Sequence, residues 1–115
     1  MRSATRRKVG KDKAYLEWAA LQPCVVTGIV GKGFAFVRVV AVTLHHVKQF
    51  PGGPRVDRRV VPLIDCLHMR THEIKGNPCV ERGKGAFERF WSVSLEAEIL
   101  HLNERYEREV VKNGN

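Results

Sequence analysis

Seven of the eleven residues from Phe34 to Leu44 are β-branched or aromatic, and the run ends directly in His45-His46. Such a stretch packs well on a pleated surface and poorly in a helix, so it reads as a strand. Pro51, Gly52, Gly53 and Pro54 follow at once and forbid continuation, and Arg58-Arg59-Val60-Val61-Pro62-Leu63 resumes a short strand pattern. The chain is therefore expected to form an antiparallel hairpin with a long connection over 48–55.

Helical patterns flank this hairpin. Asp12 is placed to cap a helix carrying Tyr15, Trp18 and Leu21 at helical spacing until Pro23 interrupts, with Trp18 as a core anchor. Beyond the second strand, Asp65 is expected to cap a helix starting at Cys66 and ending near Gly76 and Pro78, which sets His68 and His72 four apart on one face. Residues 86–91 read as helical. Ser94 is placed to cap a long last helix whose Leu95, Ile99, Leu102, Tyr106 and Val110 repeat at three-to-four spacing. The fold class is α+β in one domain over 14–112, and 43% hydrophobic content in 115 residues is enough for one core. Residues 1–13 hold six basic side chains and little apolar content, which predicts a flexible basic arm.

The formal charge of +8 favours a polyanionic partner such as DNA. Three cysteines without CxxC spacing indicate neither a disulfide framework nor a four-cysteine zinc site, and point to a reducing compartment; Cys24 and Cys66 read as core residues. No apolar run is long enough to span a bilayer and no secretory signal is visible, so a cytoplasmic protein with no membrane partner is expected.

Four of the five histidines lie in the hairpin and the helix after it. Imidazoles from His45, His68 and His72 suit one divalent cation with an open coordination position. Adjacent strand residues face opposite sides, so His46 is left for a separate task, general-base removal of a proton from an attacking water. Lys48, Arg55, Arg58 and Arg59 are candidates for phosphate contact or transition-state charge, although a solvated basic surface is the plain alternative for each. Trp91, Phe87 and Phe90 read as packing residues rather than base-stacking ones.

Leu44-His45-His46-Val47, then Val61-Pro62-Leu63 with His68 and His72 after it, resembles the ββα-metal finger of HNH endonucleases. With Pro23-Cys24-Val25-Val26-Thr27-Gly28 upstream and Phe87-Glu88-Arg89-Phe90-Trp91 before a long final helix, the likeness extends over 14–110. It is similar there to phage recombination-enhancement, RecA-dependent (Ref-like) nucleases. The resemblance implies a small ββα-metal core and a metal-dependent DNA endonuclease of a bacterial host cytoplasm. It assigns His45, His68 and His72 to one metal ion and His46 to the general base; by donor chemistry three imidazoles suit zinc or manganese, and magnesium less well. A recombinase filament is a second partner implied by resemblance alone.

The chain departs from the pattern where the middle Asn of HNH would fall, at or near Arg59. Guanidinium only donates, so Asp57 becomes the candidate that orients His46, a solvated loop aspartate being its plain alternative; Arg59 stays a candidate for charge stabilisation. Ile64 and Leu67 stand where relatives carry an extra cysteine or histidine, which argues against a second zinc. Cys79 is an alternative third ligand should the helix end early. Two other readings stay open: a non-catalytic DNA-binding module with a structural zinc, and a degenerate nuclease serving as a recombination accessory. Oligomeric state is not legible.

Overall fold

The computed structural model describes residues 10–112, so most of the basic arm, 1–9, lies outside the described residues. Helix α1, Lys13–Ala19, starts as its sequence demands, with the Asp12 side chain accepting from the Tyr15 amide at 3.1 Å. Strands β1 (Lys32–Ala35), β2 (Arg38–His46) and β3 (Val60–Ile64) form an antiparallel sheet in the order β1-β2-β3. β2 is its hub. Its first residues pair with β1, Lys32 opposite Ala41, and its last with β3, Val42 opposite Ile64 and His46 opposite Val60. The domain is thus α+β.

The single strand expected from Phe34 onward is instead a tight hairpin. Phe36 and Val37 take φ of 50° and 66°, so the apolar run folds back on itself between β1 and β2. Such turns usually carry Asn or Gly, and a left-handed valine is a steric outlier. Tertiary contact sustains it: the Phe36 ring packs 5.9 Å from that of Trp91.

β3 is buried at every residue, and the edge it presents is covered. Pro62 has no N–H to leave unpaired, and its carbonyl accepts from the Val25 amide at 3.0 Å. Around β3 lies the main core, in which Val61, Leu63, Ile64, Cys66 and Leu67 meet Phe87 of α3 (Lys84–Trp91) and Leu95 and Ile99 of α4 (Leu95–Tyr106). A second cluster joins Tyr15, Ala19 and Val60 to Leu102 and Tyr106, the next positions on the α4 stripe. Ser94 caps α4 by accepting from Ala97, and the last turns, Glu107–Val111, widen to a π-helix. All three cysteines are free and buried. No helix among the described residues is long and apolar enough to cross a membrane.

The helix expected to carry both His68 and His72 is much shorter. α2 spans only Asp65–His68, Met69 is extended, and a separate 3-10 turn covers Arg70–His72. The i to i−4 bond that would continue α2 is lost because the Arg70 amide donates to the Glu81 carboxylate at 2.8 Å. Asp65 is the first helical residue rather than the cap, and its carboxylate pairs with Arg38 at 3.2 Å.

Candidate functional site

At the end of β2 a cleft of about 500 Å³ is lined by Leu44, His45, His46, Lys48, Arg55, His68 and Glu81. Strand alternation sets its geometry. Thr43 and His45, two residues apart, both meet His68: the rings of His45 and His68 stand edge to face with centroids 5.1 Å apart, and Thr43 Oγ1 lies 2.7 Å from His68 Nδ1. His46, one residue on, turns away, and its Nε2 sits 3.0 Å from Asp57 Oδ1.

Each ring's tautomer follows from its partner. The single hydroxyl proton of Thr43 is donated to the Leu63 carbonyl at 3.0 Å, so the Thr43 oxygen must accept from His68 Nδ1–H. The neutral His68 ring then keeps an unprotonated Nε2. Asp57 is held well below the usual carboxylate range, first by the Asp12 amide and further by His46, so it is ionised and only accepts. The proton of a neutral His46 therefore sits on Nε2, which leaves Nδ1 as the basic nitrogen. Burial, then the nearby His68, pushes the His45 pKa down to about 4, and burial lowers His68 as well. Both rings are neutral at pH 7 and have lone pairs available, the protonation state a metal ligand needs.

His45, His46, His68 and Asp57 are thus brought together. The other candidates are elsewhere. His72 is exposed on its 3-10 turn and does not line the cleft, because α2 stops before a second turn can bring it round. Cys79 is buried outside the cleft, and burial raises its thiol pKa. Among the described residues no three His, Cys, Asp or Glu side chains are gathered closely enough to hold a metal ion. The acidic residue that does line the cleft with His45 and His68 is Glu81, which no local pattern marked, since a separate 3-10 turn delivers it. Thr43 was findable: a hydroxyl two residues before a strand histidine shares its face.

The four cations of the connection divide in two. Lys48 and Arg55 line the cleft. Arg58 and Arg59 do not: Arg59 binds the Glu96 carboxylate of α4 through both terminal nitrogens and the Val47 carbonyl at 3.0 Å, and Arg58 is enclosed by Tyr15 and Tyr106. Phe87 is buried in the core as expected and Trp91 donates to the Pro78 carbonyl at 2.9 Å, but Phe90, expected to pack, is 56% exposed. No family model matches the chain, and no curated protein or solved structure is detectably similar to it.

Proposed function

We propose that this protein is a metal-dependent DNA endonuclease built on a ββα-metal core. The observation that carries the reading is the opposed hydrogen bonding of two histidines on one cleft. Thr43 leaves the His68 lone pair on Nε2, as a ligand needs, while Asp57 leaves that of His46 on Nδ1, as a base needs. His45 and His68 would hold the divalent ion, with Glu81 on the cleft wall outside that pair; substrate phosphate and water commonly fill the remaining positions of such ions. When bound, the ion supplies Lewis-acid polarisation of the scissile phosphate and stabilisation of the leaving oxygen.

The remaining work falls to the chain. His46 Nδ1 takes a proton from the attacking water, and ionised Asp57 holds the ring and stabilises the imidazolium that results. Lys48 and Arg55 supply positive charge beside the cleft for the DNA backbone. Zinc, manganese and magnesium are the candidate ions, and a recombinase filament is the partner implied by resemblance. The test is nicking of supercoiled plasmid by purified protein across a series of divalent ions, on naked and on recombinase-coated DNA. Nicking that a chelator abolishes and re-added metal restores is expected; the absence of nicking with every ion on either substrate would reject the assignment.

A further inference from the structure

Among the described residues Asp57 is the only charged residue in the buried set, 5% exposed, and each of its carboxylate oxygens has a partner. Oδ1 takes His46 Nε2 at 3.0 Å; Oδ2 takes the Asp12 backbone amide at 2.8 Å, from a residue 45 positions away. The contact is doubled, since the Asp57 amide donates to the Gly10 carbonyl at 2.7 Å. Gly10 is suited to this approach. Its φ is 86°, and a Cβ there would lie 3.1 Å from the Arg55 carbonyl oxygen. Asp12 is fixed in turn, as its carboxylate caps α1 at the Tyr15 amide and accepts from Arg58 Nε at 2.8 Å.

We propose that the segment Gly10–Asp12 is a positioning element for His46, acting through Asp57 to set which ring nitrogen is left bare at the cleft. The proposal rests on the endonuclease reading for its catalytic consequence, but its structural content stands apart from that. With the Asp12 amide in place, Asp57 has one oxygen left and one orientation in which to offer it, so the His46 proton stays on Nε2. Without the amide, Oδ2 is a buried acceptor lacking its donor; the carboxylate turns to recover one, and the ring loses the contact that selects its tautomer. The Asp12 amide is also the largest influence holding the Asp57 carboxylate ionised.

The experiment compares the full-length parent with Gly10→Ala, and uses Gly28→Ala as a strain control. Gly28 is equally left-handed, at φ 78°, but has open space around its Cβ and lies outside this contact. The readouts are the long-range ¹H–¹⁵N correlation of the His46 ring and the split of plasmid-nicking kinetics into kcat and KM. The parent and Gly28→Ala are expected to show protonated Nε2 and bare Nδ1. Gly10→Ala is expected to show tautomer averaging, with kcat down on the order of tenfold and KM within about twofold. Should Gly10→Ala not fold, an ester in place of the Lys11–Asp12 amide removes the Asp12 N–H donor without altering a side chain and must give the same signature. A parent-like His46 signal in the ester or in Gly10→Ala would overturn the proposal, as would an equal change in Gly28→Ala. If no form cuts DNA, the endonuclease reading falls, and the tautomer comparison still decides this one.

Discussion

The cleft at the end of β2 and the aromatic cluster around Arg58 both hold basic side chains within a few residues of each other, and they treat them in opposite ways. The Arg58 guanidinium lies 4.7 Å from the Tyr15 ring centre and 4.8 Å from that of Tyr106, and donates to Asp12, Asn103 and Glu107. Its hydrogen-bonding and charge are consumed within the fold, tying α1, the connection and α4 together. In the cleft, Lys48 and Arg55 form no ion pair among the described residues, and the His45 ring has no hydrogen-bond partner there. Burying polar groups without partners is costly, so capacity left unused at a partly open cleft is what a ligand can take up. Adjacent residues of one type can therefore divide between framework and site: Arg58 and Arg59 brace, Arg55 faces the cleft.

The comparison breaks most decisively at His46. His46→Ala is expected to lower nicking kcat by about 10²- to 10⁴-fold, with thermal unfolding still cooperative; parent-like turnover would remove the general base from the scheme. Next comes Arg58→Ala, which strips two aromatic contacts and three polar ones from a side chain that is 35% exposed. It should cost about 2 kcal/mol of stability by denaturant titration. An unchanged midpoint would mean the cluster braces nothing.

Acid should act on the cleft before it acts on the Arg58 cluster. Burial puts the His45 pKa at about 4 in the folded chain, against an ordinary 6.5 in the unfolded one. The unfolded state thus binds the proton first: the contribution of His45 to stability is full above pH 6.5, falls between 6.5 and about 4, and levels below. His68 and Asp57 are shifted downward too and add to the loss in the same direction. With chelator present, His45→Gln should recover on the order of 1 kcal/mol of the acid loss, a figure discounted for partial solvation of the ring. Arg58→Ala should leave the slope as it is, and an identical slope in His45→Gln would refute the assignment. The smallest effect is expected from Arg55→Ala, with unfolding unchanged and the logarithmic salt slope of DNA binding shallower by about one. Equal salt slopes would place Arg55 off the DNA path.

Much of the framework was legible because its signals are local. Asp12 and Ser94 cap where a short polar side chain precedes a helical stripe, and Leu95, Ile99, Leu102 and Tyr106 face the core because 3.6-residue periodicity leaves no other arrangement. The pairing of Asp57 with His46 was reachable only through the resemblance, which puts the middle Asn of the motif at Arg59, a side chain that cannot accept. What failed to be legible was non-local. Nothing in Phe36-Val37 announces a left-handed turn, which is sustained by Trp91 far along the chain. Nothing near His68 announces that Glu81 will capture the Arg70 amide, end α2 and leave His72 outside the cleft.

The sequence by itself determined an α+β chain, the strand that ends in two histidines, the capped helices and the excess of positive charge, because propensity, periodicity and capping act over a few residues. Tertiary structure alone decided which arginines face the cleft, which acid joins His45 and His68 there, and which tautomer each histidine holds. Those outcomes depend on hydrogen bonds between segments that only the packed core brings within 3 Å of one another.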